Sequence, residues 1–218
     1  MTLVNGSEGI GTGWSTYIPC HNPRSIIENI KRVMKQEEYV PLKPWYKGYS
    51  GSIEKEPSAE RYSVTGIYEI KSEDELEIKE LPIGKWTRDY KNFLEDLAQK
   101  EVIDEIKEYH QENRVHFVLK VPNLLQIEKT EGIVKKFKLQ TTISCGNYVL
   151  FDSKGQIYRY ASEADIFKDW FALRKDAYTR RKEHLLAKLR KEYEILSNKA
   201  RFVESVIDDT IKIKKVPK

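Results

Sequence analysis

Apolar positions recur along the chain with two different periods, and each period predicts a different kind of element. Helical spacing of Ile and Val follows Asn22 and Pro23, which are a typical cap residue and a typical first residue of a helix. This pattern predicts a helix over residues 23–36. Helical spacing returns over residues 86–108, where we expect a second helix.

Short runs of β-branched and aromatic residues, bounded by Gly and Pro, predict strands between and after these helices. The runs cover residues 51–55, 61–70, 76–81, 115–121 and 137–151. Strands and helices are mixed without the regular alternation that builds a parallel sheet. The pattern therefore predicts an α+β fold with a small antiparallel sheet.

The last quarter of the chain has a different pattern. No Gly or Pro occurs from Glu163 until Pro217, and apolar residues fall on a three-or-four step that predicts a long helix with a coiled-coil seam. The seam positions are Leu185, Leu189, Leu196, Ala200, Val203 and Ile207. Before Leu185 an amphipathic helix packed on its own domain remains an alternative. We expect two parts, residues 1–160 and residues 161–218.

Charge and composition narrow the class of protein only slightly. The chain has 38 basic and 34 acidic residues, and its last 58 residues hold 15 of the basic and 10 of the acidic ones. This basic surplus at one end is compatible with nucleic acid but does not identify a partner. No run of eighteen apolar residues occurs, so no membrane partner is expected. Cys20 and Cys145 predict neither a disulfide framework nor a metal site.

The glycine-rich segment before Trp14 is the first candidate for chemistry. Gly9-Ile-Gly-Thr-Gly13 does not match the dinucleotide-binding pattern, and no Lys-Ser or Lys-Thr follows to make a phosphate-binding loop. The four histidines lack the spacing of a zinc site. The residues therefore predict no metal and no cofactor bound by this chain.

Ile10 lies between Gly9 and Gly11 in the predicted hairpin, so its apolar side chain is flanked on both sides by residues without side chains. Side chains of this kind enter between DNA base steps and bend the duplex, while glycine lets the backbones approach closely. An ordinary buried turn residue is the alternative. The residues alone leave both interpretations open.

Four ordered segments resemble one family. Residues 3–15 (LVNGSEGIGTGWS), 78–91 (IKELPIGKWTRDYK), 137–152 (FKLQTT with VLFD) and 173–202 (LRKDAYTRRK with NKARF) are similar to the type IIA DNA topoisomerases, in their eukaryotic branch. The resemblance extends over nearly the whole chain. It implies the end of a DNA-gate region and a tower domain over residues 1–160, and the start of a coiled-coil arm over residues 161–218.

The resemblance also implies roles for single residues. By position, Ile10 with its flanking Gly9 and Gly11 is similar to the isoleucine that intercalates into the gate DNA. The segment from Lys138 to Asn147 overlies a DNA-contacting stretch, since Lys, hydroxyl and amide groups suit phosphate contacts. The DNA-binding residues implied there are Lys138, Gln140, Thr141, Thr142, Ser144 and Asn147.

The family's catalytic groups fall outside the matched stretch. Its nucleophilic tyrosine follows an arginine upstream of the Gly-Ile-Gly loop, so the resemblance implies that this chain begins after it. The dipeptides Arg61-Tyr62 and Arg159-Tyr160 are interpreted as strand residues. The Mg²⁺-binding and ATPase domains are also expected to be missing. We therefore expect the chain alone to be inactive, with Mg²⁺ and ATP used by the intact enzyme.

The expected function is to hold and bend double-stranded DNA as part of a homodimeric, nuclear topoisomerase that passes one duplex through another. A non-enzymatic, chromosome-associated paralogue or a protein-interaction module is the alternative. Met1 falls where the family has a Met, which leaves both a piece of a longer protein and a truncated paralogue open. The basic segment 212–218 is too short to predict an import signal.

Overall fold

The computed structural model describes residues 1–57, 59–112 and 114–212, and it has an α+β fold. The helices are α1 (Thr2–Asn5), α2 (Pro23–Met34), α3 (Thr87–Gln99), α4 (Leu124–Thr130), α5 (Ile133–Lys136) and α6 (Glu163–Ile207). The strands are β1 (Ser7–Ile10), β2 (Ser15–Ile18), β3 (Ser52–Lys55), β4 (Arg61–Thr65), β5 (Ile67–Ile70), β6 (Glu75–Glu80), β7 (Glu105–Glu108), β8 (Phe117–Lys120), β9 (Gln140–Ser144), β10 (Tyr148–Phe151) and β11 (Ile157–Tyr160). The basic C-terminal segment lies outside the described residues from position 213 onward.

The chain divides into two compact units, Met1–Ile166 and Phe167–Lys218. The first unit contains every strand named above, and these strands form four antiparallel sheets. β1 pairs with β2, and β10 pairs with β11, as two-stranded sheets. The larger sheets have the orders β3-β4-β9 and β5-β6-β8-β7. The antiparallel pairing was predicted correctly. The prediction of a single small sheet is wrong, because the strands form four sheets.

Gly66 separates the two larger sheets. The run 61–70 was predicted as one strand, whereas the chain makes β4 and β5 on either side of this glycine. A Cβ atom at Gly66 would lie 2.2 Å from the carbonyl oxygen of Glu80. Only a glycine lets the backbones come this close, so the chain passes from one sheet to the other at this position.

The main core lies on the four-stranded sheet and is covered by α3. Leu76, Phe117 and Leu119 are fully buried from the sheet side, and Tyr90 and Leu94 from the helix side. The Tyr90 hydroxyl donates a 2.7 Å hydrogen bond to the carbonyl oxygen of Phe137. This bond links the helix to the segment that leads into β9.

The predicted helix over residues 86–108 is correct only in its first part. α3 ends at Gln99, and Glu101 adopts a left-handed backbone with φ of 57°. Residues 105–108 then form β7, which pairs with β8. Val102, Ile103 and Ile106 fit helical spacing in sequence, but Val102 closes the turn after α3 by a 3.0 Å bond from its N–H to the carbonyl oxygen of Leu97, and Ile106 pairs with Leu119 of β8.

The stretch 137–151 was predicted as one strand and is wrong in the same way. Phe137 caps α5, and two strands, β9 and β10, follow with residues 145–147 between them. α4 and α5 were not predicted, and β11 was predicted only in so far as Arg159-Tyr160 was interpreted as strand residues. Each is short, and short elements depend on packing more than on a local pattern.

The two helices with strong sequence signals form as predicted. The Asn22 side chain accepts a 2.9 Å hydrogen bond from the Arg24 backbone N–H at the start of α2, which ends at Met34 rather than at residue 36. α6 begins at Glu163, and the Ser162 hydroxyl accepts a bond from the Asp165 N–H at 3.3 Å. Among the described residues, no helix has the length and apolarity needed to cross a membrane.

Candidate nucleic-acid interface

The β1–β2 hairpin carries Ile10 at its tip. Ile10 pairs with Ser15 across the strands, and the Gly11 N–H closes the turn with a 2.8 Å bond to the carbonyl oxygen of Trp14. The Ile10 side chain is 91% exposed, and Trp14 beside it is also exposed. The alternative of a buried turn residue is therefore wrong, and the side chain is free to insert into a partner.

Gly9 and Gly11, on the two sides of Ile10, both leave room for a side chain. A Cβ atom would lie 4.0 Å from the Thr16 methyl group at Gly9 and 3.7 Å from the Trp14 carbonyl at Gly11. Both distances are ordinary van der Waals contacts, and neither glycine has a positive φ. Folding of the hairpin therefore does not require them, which agrees with a bare backbone kept for close approach to a partner.

Gly6 at the base of the hairpin is different, because the fold requires it. It has φ of 70°, and a Cβ atom there would lie 2.6 Å from the carbonyl oxygen of Ile18. Below it, the backbone N–H and ring Nδ1 of buried His21 lie 2.9 and 3.0 Å from the carbonyl oxygen of Leu3. Burial lowers the pKa of His21. The base of the hairpin is thus held by hydrogen bonds to buried His21.

Asn147 lies against β2. Its carbonyl oxygen accepts the Tyr17 N–H at 2.9 Å, and its side-chain amide donates to the Ser15 hydroxyl at 2.9 Å. The Thr16 hydroxyl accepts the Val149 N–H at 3.3 Å. Asn147 thus supports the hairpin that carries Ile10. Of the site residues implied by resemblance in the segment 138–147, it is the one hydrogen-bonded to that hairpin.

The other candidates on β9 divide between two faces of the strand. Gln140, Thr142 and Ser144 are exposed on one face. They pair with Thr65, Ser63 and Arg61 of β4, which extend the same polar face. Thr141 lies on the opposite face, where its hydroxyl donates a 3.2 Å bond to the carbonyl oxygen of Ile83. The β9 face thus offers three of the four predicted side chains together.

Lys138 precedes this face. Its backbone is left-handed with φ of 50°, and its ammonium group lies 4.4 Å from the centre of the Phe93 ring. A cation over an aromatic ring at this distance is attracted by the ring's negative face. The side chain is exposed, so it combines a structural contact with an accessible charge.

Sequence reasoning missed Ser15, Arg61, Ser63 and Thr65. The polar residues of β4 alternate with Tyr62 and Val64, and this alternation could have identified the exposed face. No local pattern links Ser15 to Asn147, because 132 positions separate them. Their contact depends on the tertiary fold.

The tyrosines of the two Arg-Tyr dipeptides and Cys145 are other residues that could act as nucleophiles. Tyr62 and Tyr160 lie in β4 and β11, as predicted for the two Arg-Tyr dipeptides. Burial raises the pKa of Tyr62 and of the Cys145 thiol, which makes each less reactive as a nucleophile. Within the described ranges, no group of three or more His, Cys, Asp or Glu could hold a metal ion.

Comparisons with known proteins identify the relatives of this chain. The model of the DNA gyrase/topoisomerase IV A-subunit family matches residues 1–218. The chain is 44% identical over 221 residues to DNA topoisomerase 2 of Arabidopsis thaliana, covering 98% of this chain and 15% of the relative. It is 41% identical over 226 residues to DNA topoisomerase 2-alpha of Homo sapiens, covering 100% of this chain and 15% of the relative.

A solved structure is similar over the whole chain. The crystal structure of the Plasmodium falciparum topoisomerase II DNA-binding, cleavage and re-ligation domain superposes with a TM-score of 0.93 at 41% identity. The match covers 100% of this chain and 30% of that one. The chain spans about 15% of the length of the two curated relatives named above.

Proposed function

The chain belongs to the DNA gyrase/topoisomerase IV A-subunit family, and from this membership we propose that it binds and bends double-stranded DNA in a type IIA topoisomerase. The observation that carries the proposal is the hairpin tip, where Ile10 is 91% exposed between two glycines that folding does not require. An apolar wedge on bare backbone suits insertion between base steps.

The free energy needed to bend DNA favours an Ile10 wedge combined with contacts to the DNA backbone. Bending a site of 20–30 base pairs costs about 1 to 6 kcal/mol. Full burial of an Ile side chain contributes about 1.5 to 3 kcal/mol, so Ile10 alone does not offset the upper part of that range. Contacts made only with bent DNA must supply the rest.

The exposed face of β9 is our candidate for these further contacts. Gln140, Thr142 and Ser144 present amide and hydroxyl groups together there, and Lys138 adds a positive charge. Such groups donate hydrogen bonds to phosphate oxygens without reading sequence. Asn147 supports the wedge hairpin through Ser15, and we assign it a positioning role.

Several properties of the intact protein are part of the same proposal. We assign residues 1–160 to the end of the DNA gate and the tower, and residues 161–218 to the start of a coiled-coil arm. We expect the intact protein to be a nuclear homodimer that uses Mg²⁺ and ATP. Among the described residues, no group of three or more His, Cys, Asp or Glu could hold a metal ion, so we assign no Mg²⁺ ligand to this chain.

The relatives reported above are named as DNA topoisomerases, which does not favour the alternative of a non-enzymatic interaction module. Fluorescence anisotropy of a duplex of about 30 base pairs, titrated with the 218-residue chain at several salt concentrations, tests the proposal. We expect weak binding that falls steeply with salt, because phosphate contacts release counterions. Absence of binding at low salt would contradict the proposal and favour the interaction module.

A further inference from the structure

A second concave site lies in the first unit. A cavity of about 560 Å³ opens between residues 46–50, the turn at residues 82–85 and the start of the segment leading into β8. Four cations line it, namely Lys47, Lys79, Lys85 and Arg114. Glu80 is the one carboxylate among the described lining residues. A cleft lined by one sign of charge focuses the field and attracts counter-ions.

Two of these five charges already have partners. The Glu80 carboxylate accepts the Ser50 N–H, with the two oxygens at 2.9 and 3.2 Å. The Lys79 ammonium lies 2.7 Å from Glu69 and 3.2 Å from Glu77. Over the described ranges, Lys47, Lys85 and Arg114 take part in no ion pair. Three cations therefore face the cavity against a single hydrogen-bonded carboxylate.

Each of the three cations stands on a segment of hydrogen-bonded backbone. The Lys85 N–H donates to the Pro82 carbonyl at 3.1 Å in the turn that contains Gly84. Arg114 exchanges two backbone bonds with Gln111, at 3.0 and 3.1 Å. Lys47 lies in the turn closed by the bond from the residue 49 N–H to the residue 46 carbonyl, at 3.2 Å. The backbone that carries the three cations around the cavity is therefore hydrogen-bonded before any ligand binds.

We propose that this cavity binds a phosphate-bearing ligand through Lys47, Lys85 and Arg114. The planar guanidinium of Arg114 matches two oxygens of one phosphate, and the two ammonium groups act as point charges on its neighbours. The volume lies in the range of ligand pockets and accommodates more than one phosphate group. A free polyphosphate and the phosphodiester backbone of DNA share this chemistry. Only the second source rests on the proposed function.

Isothermal titration calorimetry with inorganic tripolyphosphate tests the site in the 218-residue chain. We expect binding by the unaltered chain and a loss of about tenfold in affinity for each cation replaced, because a charged hydrogen bond contributes about that factor. Lys85→Gln combined with Arg114→Gln should therefore weaken binding by roughly a hundredfold. Lys47→Gln alone provides a milder variant.

The matched control replaces two exposed lysines outside the cavity, Lys129→Gln with Lys154→Gln, which changes net charge equally. The control should bind like the unaltered chain. An equal loss in the control, or no binding by the unaltered chain, would overturn the proposal. Circular dichroism of each variant shows whether it is folded.

A competition experiment between tripolyphosphate and DNA identifies the source of the phosphate. Displacement of tripolyphosphate by a duplex of about 30 base pairs identifies the DNA backbone as the source, and unchanged binding identifies a free polyphosphate. Both results support the site. Ile10→Ala should leave the affinity for tripolyphosphate unchanged. Absence of DNA bending by the unaltered chain, together with intact tripolyphosphate binding, would therefore count against the wedge and not against this cavity.

Discussion

The glycines of the first hairpin serve two different purposes, and the distances around them separate the two. There is no room for a side chain at Gly6, whereas a side chain would fit at Gly9 and at Gly11. The requirement at Gly6 comes from folding, whereas folding does not require the glycines beside Ile10, and we propose that they serve close approach to DNA. The sequence identified Ile10 because its neighbours are unusual, but it could not distinguish these glycines from one another.

Replacing Gly6 tests this distinction. Gly6→Ala should lower the free energy of unfolding by about 2 to 5 kcal/mol, through left-handed strain and overpacking. Gly13→Ala is the matched control, since its φ is 80° with no atom within 4 Å of the added Cβ. It should cost about 1 to 2 kcal/mol. Urea denaturation measures both, and equal losses would contradict the steric account of Gly6.

The residues of the candidate site differ in how far their roles could be predicted, because some roles depend on contacts with residues distant in sequence. Ile10 stands out in a local pattern of glycines, whereas the β9 side chains were implied only by the resemblance to the family. The roles of Asn147 and Lys138 depend on Ser15 and Phe93, which lie far away in sequence. A single sequence does not encode such contacts in any local pattern.

Among the elements, those with local signals were predicted and those made by pairing were not. α2 has its cap and α6 an uninterrupted periodic pattern, so both follow from neighbouring residues. β7 looks helical in sequence and becomes a strand because β8 lies beside it. Tertiary hydrogen bonds override a weak local preference.

α3 provides a test at this scale. Tyr90→Phe removes the 2.7 Å hydrogen bond to Phe137 and leaves a buried carbonyl oxygen without its donor. We expect a loss of about 1 to 3 kcal/mol in the free energy of unfolding. Tyr109→Phe changes the same group at an exposed position and should have little effect. Guanidinium denaturation compares them, and an unaffected Tyr90 variant would show that this bond does not stabilise the helix.

For the whole molecule, the sequence predicted the fold class and the long helix but not the number of sheets. Pairing of β4 with β9 joins residues about 80 positions apart, and Gly66 redirects the chain between sheets. The resemblance added the family, which the comparisons confirm. The coiled-coil seam stays a prediction, because it concerns a partner helix.

The seam predicts self-association or helix pairing through α6. Leu189 is 58% exposed, and Leu189→Asp should weaken association because a charge would enter an apolar contact. Lys191→Asp is the control on the same helix and should associate like the unaltered chain. Sedimentation velocity and circular dichroism measure association and helicity. An unaltered chain that stays monomeric, or a Leu189 variant that associates equally, would contradict the seam.

The most direct test of the central claim is energy transfer between dyes at the two ends of a duplex of about 30 base pairs. The unaltered chain should raise the transfer efficiency, because a bent duplex has a shorter end-to-end distance. Ile10→Ala should return the efficiency toward that of free DNA with an unchanged far-ultraviolet spectrum, and Ile27→Ala, also an exposed isoleucine, should not. Equal bending by the unaltered chain and Ile10→Ala would contradict the wedge.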